Sequence, residues 1–355
     1  MEPFWTEHFL LPHQGHRGCQ AVADALERAR EQVAEMVGSE AYEIVFTGGA
    51  TEANNLAIRG TTLQYPNGHI IVSQLEHDSV WHTAIGLREA GWTVDLVHPD
   101  QHGVLAVETI EDLLRPDTRL VCLQAVNAVL GTFQPVREVA DICHSRGIPV
   151  HCDMSQVFGK SPLRVQDLRA DTAAISGHKL YGPKGVGALY VRRGLQLFPV
   201  SSGESGEMGL RPGSENVPGW IGLGAAARLA SRASVEATSR LQELRDRFLT
   251  QISEQLDGRV HLVCGENPNR LANTALIRLP GDANKIVRMA RQLVLALPRS
   301  AAPADEITRC LRAVGASDRE IASCCRVSVG LTTSQEQIDR AADLLAEACE
   351  IVCPL

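Results

Sequence analysis

In the first half of the chain, short apolar runs repeatedly stop on glycine or on a polar side chain. Ile44 to Thr47 enters Gly48-Gly49-Ala50-Thr51, and His69 to Gln74 ends at Leu75-Glu76-His77-Asp78. Ile148 to Cys152 delivers Asp153-Met154-Ser155-Gln156, and Thr172 to Ile175 leads into Ser176-Gly177-His178-Lys179. Thr93 to Val97 and Leu120 to Val126 read as buried strands too, while Ala21 to Val37 and Val136 to Arg146 carry helical spacing. Strands apolar on both faces belong in parallel sheets, whose crossovers are helices. The predicted fold class is therefore α/β, a mostly parallel sheet with helices on both faces. In such sheets, residues just past the strands' C-terminal ends line the crevice that binds ligands.

The remainder reads differently. A long polar, Gly-rich loop runs from Val200 to Val217, and one long connecting helix is predicted from Trp220 to about Leu256. His261 to Val263, Thr274 to Leu279 and Arg326 to Val329 then read as strands. Gly281 to Leu293, Asp305 to Val314 and Gln335 to Cys349 read as helices, giving a smaller α+β domain. The expected division is an N-terminal arm at 1–15, a large domain at 16–228 and a small domain at 229–355 that includes the connecting helix. A length of 355 residues with 44% apolar composition supplies core for two such domains.

Charge and composition exclude several function classes. The net charge of −8, with no basic block, disfavours nucleic acid and anionic membranes as partners. No apolar run approaches the roughly 18 residues of a membrane span. The N-terminal Met1-Glu2-Pro3-Phe4-Trp5 lacks the pattern of a signal peptide. Ten cysteines show no paired framework, so a reduced, cytoplasmic protein is expected. His13, His16 and Cys19 have ligand-like spacing but number only three, and Cys324 and Cys325 are adjacent, a poor geometry for one metal, so no metal is predicted.

The strand tips carry the chemistry. Lys179 stands between a strand end and the turn Leu180-Tyr181-Gly182-Pro183-Lys184-Gly185. A lone loop lysine is ordinarily a solvated surface group. Held at a strand tip, it suits an amine that forms and breaks a Schiff base with a carbonyl cofactor. Gly48 and Gly49 before a helix start offer free backbone N–H groups to a phosphate. His77 at a strand tip can stack on a planar ring. Asp153 at another can keep a pyridine nitrogen protonated.

Together these residues resemble the cysteine desulfurase and selenocysteine lyase family of the class V aminotransferase group, pyridoxal-phosphate (PLP) enzymes of fold type I. The resemblance spans nearly the whole chain. It is densest over Phe46 to Ala57, with Gly-Ala-Thr-Glu-x-Asn-Asn-Leu, and over Gln134 to Arg193, with Ser-Gly-His-Lys-x-Tyr-Gly-Pro-Lys-Gly. It implies Lys179 as the Schiff-base lysine and mover of the α-proton, Asp153 against the pyridine nitrogen, His77 stacked on the ring and Gln156 at the phenolic oxygen. Ala50, Thr51, Ser176 and His178 would hold the phosphate. Ser214 would serve the neighbouring subunit's phosphate in a homodimer, and Arg326 would fork onto the substrate carboxylate. A sulfur-acceptor protein is an implied partner.

Three departures stand out. The family's second asparagine in Asn-Asn-Glu-x-Gly is Ala128 here, within Asn127-Ala128-Val129-Leu130-Gly131. The family's N-terminal Asp and paired threonines have no counterpart. The mobile-loop cysteine falls in Leu297-Pro298-Arg299-Ser300-Ala301-Ala302-Pro303, at Ser300 or Ala301. A serine hydroxyl cannot replace a thiol as a persulfide-forming nucleophile. The expected function is a PLP-dependent desulfurase-like enzyme acting on cysteine or a related sulfur or selenium amino acid. Open beside it stand a C–S lyase or another class V reaction (β-elimination, transamination, epimerisation), and a catalytically impaired scaffold.

Overall fold

The structure is a computed structural model describing every residue except 266, 268, 299–304 and 355, together with the side chains of 232–236. The chain divides into two compact units. One comprises 1–97, 107–125 and 135–234; the other comprises 98–106, 126–134 and 235–355.

The first unit is built on a seven-stranded sheet. Its strands are β1 (Ile44–Thr47), β2 (His69–Ser73), β3 (Thr93–Val97), β4 (Thr118–Cys122), β5 (Val150–Asp153), β6 (Thr172–Ser176) and β7 (Gly187–Val191), in the order β1-β7-β6-β5-β4-β2-β3. Only β7 runs antiparallel to its neighbours, so β1 and β6 on either side of it point the same way. The C-terminal ends of β1, β2, β4, β5 and β6 thus share one edge.

Helices α1 (Pro3–Thr6), α2 (Arg17–Val37), α3 (Ala50–Thr62), α4 (Asp78–Glu89), α5 (Val107–Leu113), α6 (Val136–Ser145) and α7 (Val165–Leu168) complete this unit with the first part of α8 (Val217–Gln255). Helix α3 packs Ala53, Leu56 and Ala57 against Val45, Ala174 and Leu189 of β1, β6 and β7. Its Ile58 joins Val80, Ala84 and Leu87 of α4 over β2, β3 and β4. Each buried Leu, Ile or Val contributes about 1.5–3 kcal/mol by leaving water, so α3 is anchored across most of the sheet.

The second unit has a three-stranded antiparallel sheet, β8 (His261–Leu262), β9 (Thr274–Arg278) and β10 (Cys324–Ser328), in the order β10-β9-β8. The C-terminal half of α8 presents Leu241, Leu244, Phe248 and Ile252, a helical stripe at spacings of three and four that Leu256 extends just past the helix end. These pack with Ala275 and Ile277 of β9, with Cys325 and Val327 of β10, and with α9 (Ala283–Met289) and α12 (Gln335–Val352). Helices α10 (Glu306–Ala313) and α11 (Asp318–Ser323) complete the unit.

The mixed α/β class, the parallel sheet and the single long helix match the sequence reading. Helix α4 had no expected counterpart: its N-cap is His77, whose side chain accepts from the Ser79 N–H, and histidine is not among the usual capping residues. The strand expected to continue to Val126 ends at Cys122, where Gln124 turns its N–H to Glu76 Oε1 at 2.7 Å and its amide to the Leu75 carbonyl.

Candidate active site

The anion cradle forms where β1 hands over to α3. Gly49 has φ of 144°, a conformation that favours glycine, and no side chain caps the helix N-terminus that follows. A Cβ on Gly187 would lie 2.8 Å from Gly49 Cα and 2.4 Å from the Ile175 carbonyl oxygen. That absence of a side chain lets Thr47 and Ser176, both registered opposite Gly187, close on one point. Trp220 steadies the end of β1 by stacking on Phe46 and donating from Nε1 to the Thr47 carbonyl at 3.2 Å. Ser176 Oγ lies 3.1 Å from His178 Nδ1. Burial, and then the charges of Lys179, Lys184 and Lys160, hold the His178 pKa below its usual value. A helix N-terminus, a hydroxyl, an imidazole and three lysines at one edge suit a phosphate.

Lys179 sits half-buried in a single 3₁₀ turn, Gly177–Leu180, directly after β6. The turn is closed by Gly177 N–H to the Val186 carbonyl at 3.1 Å and Gly182 N–H to the Gly177 carbonyl at 3.0 Å. The amine is therefore carried on a short, tied segment, which suits repeated bond making at a fixed place.

Asp153, at the tip of β5, is 7% exposed. Its Oδ2 accepts from Asn54 Nδ2 and its Oδ1 from the Ser155 backbone N–H, each at 2.9 Å. No lysine or arginine pairs with it among the described residues. Ser155 Oγ beside it is buried and has no hydrogen-bond partner. A buried carboxylate held only by neutral donors, with an orphaned hydroxyl alongside, fits a cationic ring nitrogen arriving from outside. Gln156 Oε1 accepts from Lys160 Nζ at 2.6 Å, an arrangement that leaves its amide N–H groups to donate. His77, exposed at the tip after β2, has its Nδ1 2.8 Å from Ser79 Oγ.

Ala50, Thr51, His77, Asp153, Gln156, Ser176, His178 and Lys179 thus share one edge of the first unit. Ser214 is exposed in the same unit, its carbonyl accepting from Arg211 Nη1 at 3.1 Å. Arg211 Nε also reaches Glu52 Oε1 at 3.1 Å, and Glu52 accepts the Gly48 N–H, so the Ser214 loop is tied to the cradle. Arg326 belongs to the second unit. There Nη1 donates to the Ala128 carbonyl at 2.9 Å while Nε is buried without a hydrogen-bond partner, and burial lowers its pKa.

Four of the second unit's six cysteines, Cys310, Cys324, Cys325 and Cys349, are buried, while Cys264 and Cys353 are partly exposed. Cys325 lies in the core, its thiol pushed well up by burial, and burial likewise takes Cys324 up to about 11. Cys310 is buried with its sulfur accepting from Asn127 Nδ2 at 3.4 Å, while Asn127 Oδ1 receives the Val129 and Leu130 N–H groups. The expected nucleophile position at Ser300 or Ala301 lies outside the described residues. His13 lies 3.0 Å from Glu215 and Cys19 is buried on α2, so these two are engaged elsewhere than in a joint site.

The sequence reading missed Asn54 and His151. Asn54 was part of a motif without a role; its signal is an amide on the buried face of α3, in line with Ala57, Ile58 and Thr61. His151 is an imidazole inside an otherwise apolar strand, two residues before the acid.

The profile of the aminotransferase class-V family matches residues 1–341. The chain belongs to that family. It is 34% identical over 351 residues to the cysteine desulfurase IscS of Rickettsia akari, covering 97% of this chain and 85% of the relative. A solved NifS-like protein superposes with a TM-score of 0.90 at 29% identity, covering 100% and 94% of the two chains. SspA in complex with cysteine does so with 0.81 at 30% identity, covering 92% and 93%. The fold is that of the type I PLP enzymes, and the protein is a cysteine desulfurase-like member of its family.

Proposed function

We propose that this protein is a PLP-dependent enzyme that cleaves the C–S bond of cysteine or a related sulfur or selenium amino acid. The observation that carries the reading is the Asp153 carboxylate, buried among neutral donors on the same sheet edge as Lys179 and the uncapped helix. When bound, PLP supplies an electron sink for the substrate's α-carbon.

In this reading the Lys179 amine anchors the cofactor aldehyde and then moves the α-proton. Asp153 holds the proton on the pyridine nitrogen, His77 covers one ring face, and Gln156 donates to the phenolic oxygen. The N–H groups of Ala50 and Thr51, with Ser176 and His178, take the phosphate. Arg326 offers its guanidinium to the substrate carboxylate, and Ser214 serves the neighbouring subunit of a homodimer. Residues 16–228 act as the PLP-binding domain, 229–355 as the small domain and 1–15 as an arm. Ten free cysteines support a reducing, cytoplasmic setting, and among the described residues no helix is long and apolar enough to cross a membrane. The cysteine held by the SspA structure supports cysteine as substrate.

One observation favours a second outcome at the same site. The segment Leu297 to Pro303 contains no cysteine, and Cys324 and Cys325 are buried with raised pKa values. A thiolate to accept sulfur is therefore lacking among them, which favours β-elimination over persulfide transfer. Purified protein is given cysteine and a thiol reductant, and products are assayed. Alanine with sulfide marks desulfuration; pyruvate with sulfide and ammonia marks elimination. Lys179→Ala should reduce either by about a thousandfold or more. Wild-type protein that binds no PLP would end the proposal.

A further inference from the structure

Behind the strand tips lies a continuous buried network that the sequence did not announce. Thr172 Oγ1 lies 2.8 Å from His151 Nδ1, and His151 Nε2 lies 2.9 Å from Asn54 Oδ1. Asn54 Nδ2 reaches Asp153 Oδ2 at 2.9 Å and Ser79 Oγ at 2.8 Å. Ser79 Oγ continues to His77 Nδ1 at 2.8 Å, which also receives the Ser79 N–H at 3.1 Å. Asn54, His151 and Thr172 are at most 2% exposed.

One group fixes the direction of every hydrogen in this chain. An ionised carboxylate only accepts, so the amide of Asn54 must turn its NH₂ end to Asp153. Its second N–H then goes to Ser79, and its oxygen faces His151. An amide oxygen only accepts, so His151 carries its proton on Nε2, and its Nδ1 accepts from the Thr172 hydroxyl. Ser79, having accepted from Asn54, gives its own hydrogen to His77 Nδ1. The Ser79 backbone N–H donates to the same nitrogen, so His77 carries its proton on Nε2 whatever the hydroxyl does. Burial, the largest influence on His151, lowers its pKa to about 4 and keeps the ring neutral, as this pattern requires.

We propose that Asn54 is a positioning residue that holds the Asp153 carboxylate and, through the Ser79 hydroxyl, supports the His77 imidazole, and that it imposes the Nε2–H tautomer on His151. The proposal rests on the reading of this edge as a PLP site. In that setting the one amide keeps the acid that faces the ring nitrogen and the ring-stacking histidine in a common register. Asn54 acts through both, its side chain bonded to Asp153, Ser79 and His151.

Long-range ¹H–¹⁵N correlation spectra of the ¹⁵N-histidine-labelled full chain, with and without added PLP, read the tautomers directly. The signals of the 12 histidines are assigned by their loss in His77→Gln and His151→Gln. Wild type should show the Nε2–H pattern for both rings. Ser79→Ala should leave both tautomers unchanged, because the backbone N–H at residue 79 still donates to His77 Nδ1, whereas Asn54→Ala should release His151 to mixed tautomers and weaken PLP binding about tenfold. Asn54→Asp keeps the shape but sets an acceptor against Asp153, so it should bind PLP no better than Asn54→Ala. A wild-type His151 protonated on Nδ1, or an Asn54→Asp protein binding PLP like wild type, would overturn the proposal. Should the Asn54 variants not fold, the wild-type His151 tautomer decides, Nε2–H supporting the proposal and Nδ1–H overturning it. A wild type with the expected tautomers but no affinity for PLP would instead sink the reading of the site and leave the network standing.

Discussion

Two aspartates mark opposite edges of the same sheet, and they are treated in opposite ways. Asp171 lies just before β6, at its N-terminal end, and is 1% exposed. Arg192 Nε meets its Oδ1 at 2.6 Å; His144 Nε2 and the Val150 N–H meet its Oδ2 at 2.8 and 2.7 Å. Asp153 ends β5 at the other edge and receives only an amide and a backbone N–H. The first carboxylate is neutralised from within the chain. The second is oriented but left with its charge, which is what a residue needs if its counter-ion is to arrive with a cofactor. Burial is common to the two acids; the charge of their donors is what differs.

Substitution at the two positions should separate stability from chemistry. Asp153→Asn keeps the shape and removes the charge. Activity should fall by a factor on the order of 10²–10⁴, with thermal stability close to wild type, checked by steady-state kinetics beside a melting curve. Asp171→Asn leaves Arg192 and His144 facing a neutral amide at a buried point. Because Arg192 is half exposed and can turn to water, the cost is about 1–2 kcal/mol, measured by denaturant unfolding, while activity per folded molecule stays near wild type.

A smaller effect comes from pH. His151 has a folded pKa of about 4, below its ordinary value of 6.5, because burial disfavours the charged ring. Between these two values the unfolded chain binds the proton that the folded chain refuses, so stability falls as pH falls through that window. The slope for this one group is on the order of 1 kcal/mol per pH unit. His151→Gln should flatten that portion of a melting-temperature profile. The smallest effect is expected at the second unit's thiols. Cys324→Ser and Cys325→Ser should leave activity per folded molecule within about twofold of wild type, and a complete loss in either would reveal a relocated nucleophile.

The fold was largely legible because its strands are short, apolar and bounded by glycine or polar tips, and each tip residue stands out against what precedes it. Lys179, Asp153 and the Gly48-Gly49 turn were readable for that reason. Asn54 and His151 were not, because their importance lies in partners about a hundred residues away, which only the pairing of β5 with β6 and the packing of α3 bring together. Helix α4 escaped because an imidazole supplies its cap. The segment at Ser300 was readable only as a substitution: sequence shows that no thiol stands there.

The most direct test of the contrast between the two acids is titration of PLP into the cofactor-free forms of wild type, Asp153→Asn and Asp171→Asn, followed by visible absorbance. Asp171→Asn should reproduce the wild-type spectrum and affinity per folded molecule. Asp153→Asn should shift the spectrum and weaken binding at least about tenfold. Wild-type binding in Asp153→Asn together with loss in a folded Asp171→Asn would contradict the contrast.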